Sequence, residues 1–165
     1  MDLKEKILEI LIGVLWLLLG AFLNIFYPSI FSLKGLIPNF FLIFSIILIF
    51  DRSFVNIAPF IIIISVIDSI WRGINPGINL LSLLVSSGLI YLIFYRLWSN
   101  KWIIVISIFL ATIVYFLASY LLIYVNKIGT LSFDDALNFG LIQGIYNTIW
   151  GAIILLLFKK ILRLD

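Results

Sequence analysis

The chain offers few residues able to do chemistry, and their spacing narrows what that chemistry can be. Asp68 follows the apolar run FIIIISVI, which only Ser65 interrupts, and precedes SIWRGINPG. A carboxylate at the end of such a run needs a partner or water. Arg72 stands four residues later, so on a continued helix the two side chains share a face and can pair. Two roles fit this spacing: an anchor that shapes a polar site or a partner contact, or an ion pair at a helix end, of small energetic value when exposed. Asp134 and Asp135, in KIGTLSFDDALNF, are adjacent and therefore diverge on a helix. They make a poor metal pair and suit a helix start, with Ser132 as the cap and both acids favourable at the dipole. Further on, Gly140, Gly144, Asn147 and Gly151 recur at intervals of three or four, and Gln143 precedes Gly144. One helix face is thus small and polar. It suits close packing, with Gln143 or Asn147 bonding across helices, at an internal seam or in a groove for a partner helix.

With no cysteine and no histidine in the chain, thiol chemistry, soft metal sites and histidine general bases are excluded. No phosphate-binding glycine loop, nucleophile elbow or HExxH pattern is present. The expectation is a protein without catalytic residues, metal or cofactor.

The elements that carry these residues are set by composition. Of 165 residues, 64% are hydrophobic and only 12% charged, with mean hydropathy +1.27. A soluble domain has about 45–50% apolar and about 25% charged residues, so no soluble surface can be built from this chain. Its solvent is lipid. A span needs about 20 apolar residues, and cutting wherever charges, Gly, Pro or Asn cluster yields six segments: 7–26, 36–50, 54–70, 78–95, 102–125 and roughly 136–158. The second is short for a span. The first has a charged head but runs past signal-peptide length without a small-residue cleavage pattern, and is expected to be retained. Pro59 is expected to kink the third, and Pro38 stands at the start of the second, where a missing amide costs little. Glu9 and Asn24, near opposite ends of the first, are expected to snorkel to water. Ser82, Ser86, Ser87 and Gly88 give the fourth a small, weakly polar stretch suited to helix packing.

An all-α integral membrane protein follows, a single transmembrane domain over residues 1–165 formed by a bundle of six helices. Orientation follows from the basic residues. With the N-terminus inside, the cytoplasmic set is Lys4, Lys6, Arg52, Arg96, Lys101, Lys159, Lys160 and Arg163, against only Lys34, Arg72 and Lys127 outside. This division places both termini in the cytoplasm. Trp71, Trp98 and Trp102 fall at boundaries, as interfacial anchors do. The net charge of +3 is scattered between apolar blocks and forms no stripe for nucleic acid.

The stretch APFIIIISVIDSIWRGINPGINLLSLLVSSGLIYLIFYRL resembles the core of the bacterial rod shape-determining protein MreD family. There an apolar helix ends in an acidic residue, followed by a glycine-bearing turn and another apolar helix. Asp68, Gly73 and Gly77 match that pattern. Pro38 before an apolar run, and a closing helix with Gln143 and Asn147 before a basic tail, are also similar, so the resemblance covers most of the chain. It implies a non-enzymatic scaffold in the bacterial cytoplasmic (inner) membrane, part of the cell-wall elongation machinery. The implied partners are MreC, the actin-like MreB filament and membrane-bound wall synthases. The rival is the substrate-binding S component of an energy-coupling-factor vitamin transporter, similar in size and layout. Against it stand the absence of an Ala-x-x-x-Ala pattern from ILIGVLWLLLGAFLN, the absence of histidine, and the few polar residues expected near the outer face.

Overall fold

Lipid leaves no water for unsatisfied backbone, so each apolar run closes its hydrogen bonds within itself as a helix and breaks only where Gly, Pro or Asn intervene. The computed structural model describes residues 3–26, 30–32, 36–51, 54–94, 101–129 and 132–158. These form six α-helices: α1 (Leu3–Phe26), α2 (Phe40–Asp51), α3 (Phe54–Arg72), α4 (Pro76–Phe94), α5 (Lys101–Asn126) and α6 (Phe133–Phe158). No strand occurs among the described residues. Three stretches, Pro76–Phe94, Trp102–Asn126 and Phe133–Leu157, are long and apolar enough to cross a membrane. The basic residues Lys34, Arg52, Arg96, Lys159, Lys160 and Arg163, and also Trp98, lie outside the described residues. So do the side chains of Lys4, Lys6, Glu9 and Lys101.

The second helix begins later than the apolar pattern indicates. Leu36 to Asn39 are not helical, and α2 starts at Phe40 because Asn39 caps it: its Oδ1 accepts the Leu42 amide at 3.1 Å. Pro38 therefore lies outside the helix, and α2 has only 12 residues, about 18 Å at 1.5 Å per residue. That is well short of a hydrocarbon core of about 30 Å. Every residue from Phe40 to Phe50 is at most 5% exposed. A helix apolar on all sides belongs in an interior, and α2 is the axis of this bundle, in contact with each of the other five helices. Around it run α1, α3, α4, α5 and α6, neighbours in that order, with no direct meeting of α1 and α6 among the described residues. On that side the connection from α1 to α2 contributes Phe31, whose ring meets Phe40 and Trp150 edge-on at 4.9 and 5.0 Å. The Tyr146 hydroxyl of α6 donates to the Phe31 carbonyl.

Two turns show how local sequence ends the helices. Gly73, at φ +67°, closes α3. Its amide donates to Ile70 O (3.3 Å) and the Ile74 amide to Ser69 O (2.9 Å), the paired bonds of a Schellman end. Asn75 then caps α4, accepting the amides of Gly77 and Ile78 at 3.0 and 3.3 Å, and Pro76 takes the first helical position, where no amide is needed. The connection from α5 to α6 ends likewise in a cap. Ser132 accepts the Asp135 amide at 3.1 Å and donates to the Asp135 carboxylate at 2.6 Å. Pro59 sits in the second turn of α3, which continues through it to Arg72.

Outward faces are apolar where a soluble protein would be polar. Leu8, Leu15, Ile63, Ile70, Leu92, Val125, Ile145 and Leu156 are all exposed, so the surface fits lipid. Trp71 and Trp102 are exposed at helix ends, 65% and 72%, as interfacial aromatics are. The interior is drawn tight at glycines. A Cβ on Gly20 would stand 2.9 Å from the Phe44 ring and 3.1 Å from both Phe40 O and Phe41 Cα. Gly140, Gly144 and Gly151 face α5 in the same manner, against Ile113, Phe109 and Ile108. Gly88 differs from the expectation for its segment: nothing lies within 4 Å of its Cβ position, while Ser82, Ser86 and Ser87 are buried.

Gly20→Ala is expected to cost about 1–3 kcal/mol, since the buried Phe44 ring and the α2 backbone together meet the new methyl. Gly88→Ala is expected to be neutral or stabilising by up to about 1 kcal/mol through helix propensity. Thermal unfolding of the two variants in one detergent, read side by side, checks both signs.

Candidate functional site

The polar residues of this chain converge on one place, the N-terminus of α2. A helix start leaves backbone amides without partners, and here that start lies inside the bundle. Three side chains supply acceptors. Asn24 Oδ1, from the last turn of α1, accepts the Phe40 amide at 2.8 Å. Asn147 Oδ1, from the middle of α6, accepts the Asn39 amide at 2.9 Å. Asn39 itself takes the Leu42 amide.

Each of these asparagines is held by others. Asn24 Nδ2 donates to Asn39 Oδ1 at 3.2 Å and to Asp68 Oδ1 at 3.4 Å. Asn147 Nδ2 donates to Thr112 Oγ1 (3.1 Å), whose hydroxyl donates to Ile108 O within α5 (2.8 Å). Gln143 Nε2, one turn before Asn147, donates to Ile37 O at 2.6 Å and to Asn147 Oδ1 at 3.2 Å. The small and polar face of α6 is therefore an internal seam. Its glycines let α5 approach, and its amides hold the segment leading into α2.

Asp68 and Arg72 pair as their spacing predicts, Nη2 to Oδ2 at 2.5 Å. The surroundings differ from those of an interfacial pair. Asp68 is wholly buried and the Arg72 side chain is 23% exposed, so the carboxylate is held from both sides, by Arg72 and by Asn24. Asn24 likewise departs from the expectation that it snorkels to water: it is 4% exposed and bridges α1, α2 and α3. The reason is tertiary. Because α2 is short, its first residues lie level with the end of α1, which places Asn24 inside.

A second relay ties α3, α4 and α5 near the same pole. Ser69 Oγ donates to Ser65 O at 2.5 Å, Asn79 Nδ2 to Ser69 Oγ at 2.6 Å, and Tyr115 OH to Asn79 Oδ1 at 2.5 Å. The polar residues at this end are therefore more numerous than the sequence reading anticipated. Asn39, Asn79, Thr112 and Tyr115 join those singled out. Asn39 has a readable signal, since an Asn just before FFLIFSIILIF is a helix cap. Asn79, Thr112 and Tyr115 have none, because a lone polar residue in an apolar run reveals nothing of what it faces. Gly73 and Gly77 stand at the α3–α4 turn and touch none of the network directly; they place Arg72 at its rim.

Two cavities flank Arg72. One, of about 400 Å³, is bounded by Asn24, Pro38, Asn39, Trp71 and Ile74; the other, of about 200 Å³, by Tyr115, Phe116, Gln143 and Asn147. Both share Ile37, Asn39, Arg72 and Ile74. Among the described residues no group of three His, Cys, Asp or Glu is placed to hold a metal ion.

Removing one partner of a buried pair is more costly than removing both, because it strands the other charge. Asp68→Asn is therefore expected to lower the unfolding midpoint more than the Asp68→Asn/Arg72→Gln double variant does. Asn147→Leu, which strands the Asn39 amide, is expected to cost about 1–3 kcal/mol. Midpoints measured for all three against the parent chain decide the order.

No family model, curated protein or solved structure matches this chain.

Proposed function

We propose that the chain is a non-enzymatic scaffold of the bacterial cell-wall elongation machinery, of the MreD type, which crosses the cytoplasmic membrane six times with both termini inside and associates with MreC. In this reading it links that partner to MreB and to the membrane-bound wall synthases. Beyond the sequence resemblance, one observation carries it: the residues that make up the resemblance act in the architecture. Asp68 is buried and paired, Gly73 ends α3 with a positive φ, Gly77 gives its amide to the Asn75 cap in the first turn of α4, and Gln143 and Asn147 fasten the start of α2. Their polar atoms bond mainly to other parts of the chain. Such a core makes a rigid body whose outer helix faces are left for lipid and for other spans, as a scaffold requires.

The orientation rests on the basic residues, eight in one set of loops and three in the other. By this orientation the α2 start and its cavities face outward, toward the side where an extracytoplasmic partner stands. A second reading, the substrate-binding component of an energy-coupling-factor transporter, is favoured by the cavity of about 400 Å³ at that same end, lined by Asn24, Asn39 and Arg72.

Affinity purification of the tagged chain from its own membranes separates the two: recovery of MreC is the outcome expected, and a copurifying vitamin or an ATPase module would favour the transporter. Topology has its own measurement. The chain has no cysteine, so single cysteines placed beside Lys127 and beside Lys160 report sidedness. The first is expected to react with an impermeant thiol reagent on intact cells and the second only after lysis.

A further inference from the structure

Arg72 is only partly used by the interactions that place it. A guanidinium carries five N–H donors in a planar fork. Among the described residues, Arg72 bonds to Asp68 alone, through Nη2, while its Nε–H is shielded from solvent and has no partner. That shielded Nε–H is out of reach of either cavity; it is the exposed part of the Arg72 side chain, 23%, with the guanidinium donors that Asp68 leaves unbonded, that lines both. The charge balance of the surroundings defines the acceptor that suits them. Among the described residues, Arg72 is the one charged side chain lining either cavity. Asp68 lines neither, being wholly buried behind it. The amides of Asn39, Phe40 and Leu42 at the start of α2 are already taken by Asn147, Asn24 and Asn39, so they add no free donor there. The cavities thus present the Arg72 guanidinium to whatever enters.

The cavity mouth is amphipathic. From Trp71, at the rim of the larger cavity, a row of rings leads along the outside of α1. The Phe26 ring is 6.1 Å from Trp71, and the Phe22 ring 4.8 Å from Phe26. Phe22 and Phe26 are exposed, and they run from the end of α1 toward its middle. A pocket in which Arg72, Asn24 and Asn39 stand among apolar residues, next to exposed rings on a lipid-facing surface, matches a headgroup followed by an acyl chain.

We propose that the cavity around Arg72 binds a phosphate group, received in the guanidinium fork that Asp68 leaves open, with the Phe22–Phe26–Trp71 row as the seat of an attached acyl chain. Arginine is suited to this, since its planar fork matches phosphate oxygens in a way that an ammonium does not. The site is independent of the scaffold reading, which rests on protein partners.

Native mass spectrometry of the full chain in a phosphate-free detergent tests it with three probes: phosphatidylglycerol, which has phosphate and chains, diacylglycerol, which has chains alone, and sn-glycerol 3-phosphate, which has phosphate alone. Phosphatidylglycerol is expected to be retained about tenfold or more over diacylglycerol, the ratio that one charge-assisted contact supplies. Displacement of the lipid by glycerol phosphate assigns the site to phosphate itself; retention in its presence assigns it to a lipid headgroup. Two variants carry the structural claim. Ile74→Trp fills the cavities and leaves the ion pair intact, and Asp68→Asn/Arg72→Gln removes the fork without stranding a charge. Each, if its unfolding midpoint stays near that of the parent, is expected to lose the preference. Equal retention of phosphatidylglycerol and diacylglycerol by the parent chain, or parental retention of phosphatidylglycerol by either folded variant, overturns the proposal.

Discussion

A helix that begins inside an apolar bundle has backbone amides pointing where no water can reach them. In this chain that helix is α2, surrounded by all five others, and much of the arrangement around it answers the need of its first turn. Acceptors arrive from α1 as Asn24, from α6 as Asn147, and from the cap residue Asn39 itself. An unmade bond to a buried amide costs about 1–3 kcal/mol, so three such bonds are comparable with a large part of the net stability of a domain, about 5–15 kcal/mol. The short α2 and the convergent asparagines are two aspects of one solution.

From this constraint the rest of the polar interior follows outward. Asn24 can accept the Phe40 amide only if its own amide group finds acceptors, and it finds them in Asn39 and in the carboxylate of Asp68. A buried carboxylate requires a cation, and Arg72, one turn on, supplies it. The α3–α4 turn, with Gly73 in the left-handed region and Asn75 at the cap, holds the end of α3 at the depth where this pairing works. On the other side, Gln143 and Asn147 reach α2 because α6 is drawn against α5 by Gly140, Gly144 and Gly151. Toward its other end α2 carries no such network among the described residues, and Ile46 to Phe50 are uniformly apolar and buried.

Much of this was legible in the residue order, and the parts that were not share a cause. Apolar runs and their Gly, Pro and Asn breaks located all six helices within a few residues, since in lipid the backbone has little alternative to a helix. The spacing of Asp68 and Arg72 foretold their pairing, and Ser132 with Asp135 foretold a cap. The start of α2 was misplaced because Leu36 and Ile37 are as apolar as the helix they precede, and only Asn39 marks the boundary. Asn24 was misread for a reason that no local pattern reveals. A polar residue at a helix end reaches water by default, unless a neighbouring helix stops short and encloses it. The burial of Asp68 depended on the same missing fact, the shortness of α2. Asn79, Thr112 and Tyr115, single polar residues in apolar helices, acquire partners only through packing and were invisible for that reason.

The bond from the Asn39 amide to Asn147 joins residues 108 positions apart, and this separation has a temporal meaning. Membrane helices are inserted in order as the chain is made and associate afterwards. When α2 enters the bilayer, the groups that close its first turn from the far side have not yet been synthesised. Until α6 is in place, the Asn39 amide, the Ile37 carbonyl and the Phe31 carbonyl lack their partners. The nascent bundle therefore holds its central helix in a provisional position, open on the side between α1 and the site α6 will occupy. The arrival of the last helix is the step that fixes the axis, so the whole molecule matures in one late event rather than helix by helix. A chain halted before that point would leave the Asn39 amide without the Asn147 side chain that accepts it.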